Sequence, residues 1–581
     1  MSVVHRNPNW RGQHKMKKTL LKSTFAGLLA CTAWAPALFA EEPLSPAPQS
    51  INTDVFWKNA TVYFMLTDRF ANGDPSNDTA YGRGQDTGVL RSFVGGDIKG
   101  ITQKIEEGYF TKLGVDVLWT TPLLEQVQGP WQDDFGKTYA YHGYWPRDWT
   151  NVDQAYGSEA DMAEMIAAAH KKGIRVLADV ILNHTGPVTV KDARWPNEWV
   201  REGNVCNWQD YANNVTCRLA DSLEDILTET EAPVELPPFL LKKWEAEGRL
   251  DRELAELDAF FARTGYERAP KYYIIKWLTD WVRDYGIDGF RVDTAKHIEA
   301  EIWQELKKES VLALNEWRAA NPDRKLDDKP FFMMGEVYHW GALGFNATVD
   351  GGRAYDYGDQ QVDFFNYGFD SLINMGFPTH ADAPYEQIFS QYSTALNGGE
   401  LDGIGMLNYV SSHDDMGPYD QDRASPYATA NRLMLAPGAV QIYYGDELAR
   451  SLRIKGTIGD ATLRSAIDWS QLENKDTQAL LEHWQKLGQF RQAHPAVGAG
   501  IHQQLNGEGY VFSRKLDTEG ITDRVLVGLE QAPGIKTFTV SGLFEDNTEL
   551  KDYYSGKTVL VKNGTVTLET NHNVVLLGAS R

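Results

Sequence analysis

The sequence predicts a closed (β/α)8 TIM barrel with an inserted domain after its third strand and a C-terminal antiparallel β-sandwich. Eight apolar runs alternate with helical patterns from about residue 60 to residue 495, and each run ends in polar or charged residues. That is the pattern of a parallel α/β barrel, in which the polar strand ends meet at one rim. Roughly 90 residues follow the third run, too many for an ordinary strand-to-helix connection. After residue 501 the hydrophobic pattern changes. Short runs of alternating apolar and polar residues are separated by turn residues, which is typical of antiparallel sheets.

Each predicted barrel strand is a short apolar run that leads into a polar loop. Helical apolar spacing is clearest over 272–285, just before the fourth strand, and over the charged segment 240–263. We expect the barrel at 54–182 and 273–495, the inserted domain B at 183–272, and an all-β domain at 501–581. The predicted strands cover 60–66, 115–120, 174–182, 287–293, 331–336, 370–375, 406–411 and 439–444.

The first 40 residues have the pattern of an export signal. They carry six Lys and Arg but no acidic residue, and 25–40 is an uncharged run. This run is shorter than the roughly 20 apolar residues of a membrane span. We expect residues 1–40 to be a signal peptide cleaved after Ala40, with 1–15 as an extension upstream of the true start. A lipoprotein anchored at Cys31 is the alternative. The protein is therefore expected to be exported, periplasmic or secreted, without a transmembrane segment.

Cysteine use and charge agree with this location. Beyond the signal the only cysteines are Cys206 and Cys217, which should form a disulfide in an oxidising compartment, with two free thiols as the alternative. A net charge of −23 disfavours nucleic acid and anionic membranes as partners but suits neutral ligands and cations. The 18 Trp and 26 Tyr provide the flat aromatic faces that suit sugar rings. We expect a monomer.

The stretch 287–293 places Arg291 and Asp293 two residues apart, on one face of the fourth strand. We expect the cation to keep the carboxylate ionised; a structural ion pair is the alternative. Glu336 and Asp414 end two other strands, and Glu336 follows an apolar run that favours a raised pKa. Paired carboxylates, one ionised and one protonated, are what cleavage of a glycosidic bond requires.

Three further groups of residues are candidates for ligand binding. His142 and Tyr144 lie in an aromatic loop, 139–145, that is typical of ligand recognition. His184 and His413 each follow a strand and can donate to sugar hydroxyls. The oxygen-rich stretch 72–78, with Gly95 and Asp97 downstream, can wrap a hard cation such as Ca²⁺, and a solvated turn is the alternative.

Four motifs together resemble the conserved sequence regions of the α-amylase family, glycoside hydrolase family 13. They are 179–184, 289–297, the strand that ends in Glu336, and 409–414, in the order found in that family. Residues 223–225 resemble its fifth region and 141–145 its sugar-binding loop. The likeness runs from about residue 55 to the end of the chain. Within the family the chain is most similar to periplasmic α-amylases of Gram-negative bacteria.

The resemblance implies roles by position. Asp293 matches the nucleophile, Glu336 the general acid/base, and Asp414 the carboxylate that stabilises the distorted sugar. Lys296 matches a residue on the leaving-group side. The groups that match positions around the sugar being cleaved are His142, Tyr144, His184, Arg291 and His413.

The resemblance also implies one or two Ca²⁺ sites. One lies between barrel and inserted domain, with Asn183, Asp225 and the backbone carbonyl of His297 as ligands. The other resembles a site of cyclodextrin glucanotransferases and comprises Asn72, Asp74, Asn77, Asp78, Gly95 and Asp97.

Two positions depart from the family pattern. Ser412 stands where chloride-activated members have an Asn that binds chloride, so we expect no chloride dependence. Glu224 replaces the commoner Pro before Asp225.

The expected activity is α-amylase-type: retaining endo-hydrolysis of α-1,4-glucosidic bonds in starch, glycogen or maltodextrins, releasing maltooligosaccharides. Two alternatives share the barrel: a cyclodextrin-forming or transglycosylating glucanotransferase, and an α-1,6 or exo-acting glucosidase. A third alternative is a glucan-binding relative without activity, which the presence of all three acids disfavours.

Overall fold

The computed structural model describes residues 53–133, 136–349, 352–415, 417–518 and 520–580. The expected signal peptide, its cleavage site and Cys31 lie outside these ranges. Within them, no helix combines the length and apolar character needed to cross a membrane.

Eight parallel strands close into a barrel, which confirms the predicted fold. Strands consecutive in the chain are neighbours in the sheet, and β1 closes the barrel by pairing with β8. Each predicted run contains one strand, shortened where its polar end belongs to the following loop. The strands are β1 (Thr61–Met65), β2 (Val117–Thr120), β3 (Arg175–Val180), β4 (Gly289–Val292), β5 (Phe332–Gly335), β6 (Ser371–Ile373), β7 (Gly405–Asn408) and β8 (Ala439–Tyr443).

The longer helices flank these strands or belong to the insertion after β3. They are α1 (Ile98–Glu106), α2 (Glu159–Lys171), α3 (Pro238–Ala246), α4 (Leu250–Thr264), α5 (Pro270–Tyr285), α6 (Glu301–Ala320), α7 (Tyr385–Leu396), α8 (Pro426–Met434) and α9 (Lys475–Ala493).

Gly286 turns the chain from α5 into β4. It has φ +75, and a side chain there would meet the ring of Trp317 at 2.3 Å. Only glycine combines this left-handed conformation with so close a contact. The turn leads into β4 with Val292 level with Val180 of β3 and Gly335 of β5. The residues that follow these strands therefore share one rim of the barrel.

The insertion between β3 and α5 is built on a short antiparallel pair, His184–Thr185 with Glu224–Asp225. Cys206 and Cys217 form the expected disulfide. The charged helical segment expected over 240–263 is two helices, α3 and α4. The chain breaks at Gly248, whose φ of +73 ends the first helix because left-handed backbone cannot continue it.

Residues 501–580 form antiparallel sheets that pack around their own apolar core. A six-stranded sheet and a separate two-stranded sheet enclose Leu526, Phe538, Val566 and Leu577. The strands are β9 (Ile501–Leu505), β10 (Tyr510–Thr518), β11 (Ile521–Leu529), β12 (Gly534–Thr539), β13 (Glu549–Asp552), β14 (Thr558–Leu560), β15 (Thr565–Thr570) and β16 (Val575–Ala579).

Further short strands form antiparallel pairs in the loops. They are Leu124–Gln126 with Pro146–Val152, Trp131–Asp133 with Gly136–Thr138, and Tyr355–Asp356 with Gln361–Val362.

Candidate active site

The guanidinium of Arg291 joins carboxylates from three strand ends at the base of the barrel mouth. Its Nη1 donates to Asp293 Oδ1 at 2.9 Å and to Asp179 Oδ1 at 2.8 Å, and its Nη2 donates to Glu336 Oε2 at 2.7 Å. Arg291 is 1 % exposed, so these ion pairs are shielded from water. The backbone fixes the acids as well: Asp293 N donates to Val180 O, and Glu336 N to Val292 O, both at 2.9 Å.

Asp179 is a member of this network that motif reasoning did not single out. It is buried inside the barrel and accepts from Trp119 Nε1 at 2.9 Å and from the Tyr144 hydroxyl at 2.7 Å, besides Arg291. Its position within the 179–184 motif was the available signal. Its role is to hold Arg291 and Tyr144 in place, because both of its oxygens are already engaged.

Burial sets the protonation of the two central acids. Burial raises the pKa of Asp293 to about 6, although Arg291 acts in the opposite direction. Arg291 therefore keeps this carboxylate ionised at neutral pH with a smaller margin than the sequence suggested. Burial likewise raises the pKa of Glu336 to about 7, and the negative charges of Asp293 and Asp414 add to the effect. Near neutral pH one acid is mainly ionised while the other still carries much of its proton.

Asp414 differs from these two acids in its partners. Burial alone would raise its pKa, but His413 at 3.0 Å and Arg464 at 2.5 Å hold the pKa well below the usual range. Arg464 lies in the loop after β8, fifty residues downstream. Nothing in the local sequence marks Arg464, so only the folded chain identifies it.

The predicted sugar-binding residues lie together beside Asp293. Gly143, with φ +88, packs against Pro122 and lets the flanking side chains converge. The Tyr144 ring stacks on His413 at 5.2 Å, and Tyr144 N donates to His142 Nδ1 at 3.0 Å. His184 Nε2 donates to the Tyr144 carbonyl at 3.2 Å. Burial lowers the pKa of His184 to about 4 and that of His142 well below its usual value, so both rings are neutral.

Glu336 and Asp414 open into a cleft of about 530 Å³, a volume in the range of small-molecule binding sites. It is lined by Trp119, Arg291, Glu336, Tyr338, His413 and Asp414, among others.

Lys296 lies close enough to Glu336 for their charges to interact. Its Nζ donates to the Tyr355 hydroxyl at 2.9 Å, and burial lowers its pKa to about 8.

The donor set expected between barrel and insertion has the chemistry of a Ca²⁺ site. Asp225 is 2 % exposed, and burial raises its pKa to about 8 even though Arg201 donates to it at 3.0 Å. The positive charge of Arg201 thus offsets only part of the free-energy cost of burying the ionised Asp225 carboxylate. Asn183 is adjacent, since its carbonyl accepts from Ile226 N at 2.9 Å. His297 is buried nearby, and its pKa is lowered by burial to about 3, so its ring adds no positive charge.

The second expected set also converges. A Cβ on Gly95 would meet Asn72 Nδ2 and Asp78 Oδ1, both at 2.5 Å, so these groups surround the Gly95 backbone. Asp97 accepts backbone hydrogen bonds from Gly73, Asp74 and Gly100, and Asn77 Oδ1 is buried without a hydrogen-bond partner in the described structure. An orphaned buried oxygen beside carboxylates fits a cation ligand.

Asp74 differs from the rest of this set because a lysine contacts its carboxylate. Its oxygens are engaged by Lys99 Nζ and by Ser76, both at 2.6 Å. No group of three or more His, Cys, Asp or Glu in the described residues is arranged for a metal. Both sets would therefore depend on amide and carbonyl oxygens.

The chain matches the family model for the α-amylase catalytic domain over residues 64–455. It is 38 % identical over 530 residues to the periplasmic α-amylase of Escherichia coli K12, covering 81 % of this chain and 72 % of that protein. It is 26 % identical over 493 residues to a cyclomaltodextrin glucanotransferase of Paenibacillus macerans, covering 82 % of this chain and 61 % of that one.

The fold has a solved counterpart. The crystal structure of an Anoxybacillus α-amylase superimposes with a TM-score of 0.60 at 21 % identity, covering 90 % of this chain and 99 % of that one. At this identity the likeness concerns the fold alone. The family model, which spans more than half of the chain, and the Escherichia coli relative establish that the chain belongs to the α-amylase family.

Proposed function

We propose that the protein is a retaining, endo-acting α-1,4-glucan hydrolase that cleaves starch, glycogen or maltodextrins into maltooligosaccharides. The observation that carries this proposal is Arg291, which bonds Asp293 and Glu336 through the two terminal nitrogens of one guanidinium. Binding to one guanidinium keeps these two carboxylates close together, and a short separation of the two acids suits a double displacement. The similarity to the periplasmic α-amylase of Escherichia coli supports the substrate class.

In the first step Asp293 attacks the anomeric carbon, and the bond from that carbon to the glycosidic oxygen breaks. Glu336, with its pKa of about 7, gives its proton to the departing oxygen. Asp414 stays ionised because His413 and Arg464 hold its pKa low, so it stabilises the positive charge that develops on the sugar. The first leaving product is the reducing-end part of the chain.

In the second step water attacks the anomeric carbon of the glycosyl-enzyme ester. Glu336, now ionised, accepts a proton from that water, and the bond between sugar and Asp293 breaks. The carboxylate returns to Arg291 and the anomeric configuration is retained.

Calcium would act on structure rather than in either step. Asn183, Asp225 and the His297 carbonyl would hold one ion and tie the insertion to the barrel. Asn72, Asn77, Asp78, Asp97 and the Gly95 carbonyl would hold another in the loop after β1. We also propose that the protein is exported, because its disulfide suits an oxidising compartment and the Escherichia coli relative is periplasmic.

Chromatography of the products from maltoheptaose, soluble starch and pullulan tests the proposal. A hydrolase yields linear maltooligosaccharides from the first two and spares the α-1,6 bonds of pullulan. Cyclic products would instead support a glucanotransferase, the second candidate, which the similarity to the Paenibacillus enzyme favours. Asp293→Asn should abolish turnover on starch, and near-normal activity of this variant would refute the assigned nucleophile.

A further inference from the structure

Trp208 is an exposed aromatic residue that the catalytic steps do not use. It is 46 % exposed, and its φ of +64 lies in the left-handed region, which bulky side chains rarely adopt. Backbone strain of this kind persists only where the surroundings impose it, and it concentrates at functional sites. Trp208 lies inside the loop closed by the disulfide between Cys206 and Cys217.

The disulfide loop, residues 206–217, is fastened to the barrel at two points that follow Trp208 in the chain. Trp208 N donates to the Asn213 carbonyl within the loop at 3.3 Å. The Asn214 carbonyl accepts from His297 Nδ1 at 2.8 Å, and Tyr211 N donates to Asp359 Oδ1, also at 2.8 Å. These bonds fix the loop against the segments that follow β4 and β5, so the indole is presented on a rigid support.

The indole faces the same ammonium group as a second exposed ring. Lys296 Nζ lies 5.5 Å from the centre of the Trp208 ring and 5.6 Å from that of Tyr338, which is 40 % exposed. Tyr338 comes two residues after Glu336 and lines the cleft. The Lys296 ammonium group therefore links the Trp208 ring to Tyr338, which lines the cleft beside the proton donor. Since Glu336 protonates the departing oxygen, this side receives the leaving part of the glucan.

We propose that Trp208 is a stacking platform for a glucosyl unit on the leaving-group side, and that the disulfide loop holds it there. The inference rests on the proposed glucan hydrolysis. The apolar face of a glucose ring suits an indole, and its hydroxyls can accept from Lys296. Trp208 thus selects substrates with several glucosyl units beyond the cleaved bond, while the acids at the base of the cleft carry out the chemistry.

Two substrates separate this role from catalysis. Maltoheptaose places sugars on the leaving-group side, whereas α-maltotriosyl fluoride leaves only fluoride there. For Trp208→Ala we expect kcat/KM on maltoheptaose to fall about tenfold and kcat/KM on the fluoride to stay within about twofold. Reducing-end-labelled maltoheptaose should release more labelled glucose, because bonds with a single leaving-side unit become preferred. Trp208→Phe should retain most of the wild-type kcat/KM on maltoheptaose, since it keeps a flat ring.

A matched control is Tyr427→Ala, which removes an aromatic side chain of similar exposure, 45 %, on α8. This variant should leave kcat/KM unchanged on both substrates. The paired change Cys206→Ser with Cys217→Ser should reproduce the selective loss on maltoheptaose if the loop supports the indole. An equal loss on both substrates, or no loss on maltoheptaose with Trp208→Ala, would overturn the proposal. Failure of the wild-type enzyme on both substrates would instead refute the proposed hydrolysis.

Discussion

Arg291 and Glu336 are joined by a 2.7 Å hydrogen bond through Nη2, the terminal nitrogen of Arg291 that does not contact Asp293. One planar cation thus sets the distance between the two acids, and Asp179 anchors it from within the barrel. A planar fork is required because two donors must act at a fixed separation, which the single ammonium group of a lysine does not provide.

Arg291→Lys should lower kcat/KM on maltoheptaose by about 100-fold, because Asp293 and Glu336 lose their common support and a displacement of about 1 Å has an effect of that size. The charge is kept, so the loss would report geometry. Steady-state kinetics with near-ultraviolet circular dichroism as a control for folding checks this. Wild-type kinetics in the variant would mean that Arg291 does not position the acids.

The pH profile of kcat/KM should be bell-shaped with its maximum between about pH 6 and 7. Asp293 acts ionised and has a pKa of about 6, so activity falls as pH drops below that value. Glu336 acts protonated and has a pKa of about 7, so activity falls as pH rises above it. The two acids share Arg291, so the limbs belong to the pair. A kcat/KM that keeps rising to about pH 9 would contradict this assignment.

Glu336→Gln should reduce kcat on soluble starch by about 10²- to 10⁴-fold, the usual worth of general acid catalysis. With α-maltotriosyl fluoride the loss in kcat/KM should be far smaller, because fluoride departs without a proton. Asp293→Asn is the matched comparison and should abolish turnover of both substrates. Equal losses for Glu336→Gln on starch and on the fluoride would exclude Glu336 as the acid.

Chelation should lower Tm by several degrees, and Ca²⁺ should reverse the effect, because an ion bound only to the folded state stabilises it. Asp225→Asn and Asn77→Ala should each remove part of the Ca²⁺-dependent gain, one for each proposed site. Asp74→Asn is the control: Lys99 and Ser76 already occupy its oxygens, so the gain should persist. Differential scanning calorimetry of the wild type and the three variants measures these changes. A wild-type Tm that does not respond to chelator would refute both sites.

Replacing chloride by another monovalent anion should leave activity unchanged, because Ser412 stands where chloride-activated members of the family have an Asn. In the structure the Ser412 hydroxyl accepts from Asp414 N at 3.3 Å. Initial rates at constant ionic strength provide the measurement. Activation of several-fold by chloride would contradict the expectation.

Local sequence predicted the strands because each one combines an apolar run with a polar end, as in the stretch that contains Asp293. The inserted helices were less predictable. Gly248 interrupts an otherwise continuous helical pattern. Because a single glycine destabilises a helix by only a small free energy, its presence does not reveal whether the helix continues or ends there. The role of Arg464 could not be predicted from the sequence for another reason. It is fifty residues from Asp414 in the chain and contacts it only when the loop after β8 is folded.

The sequence by itself determined the barrel and the family and predicted the three acids, since all of these follow from short motifs whose spacing is local. Only the tertiary structure decided how those acids are charged. Arg291 is bonded to three carboxylates instead of one, and burial raises the pKa of Asp293 and Glu336 against its influence. The tertiary structure also brings Trp208 beside Lys296. Burial and contacts between distant loops depend on the whole fold, because desolvation is a property of the surroundings and not of the residue.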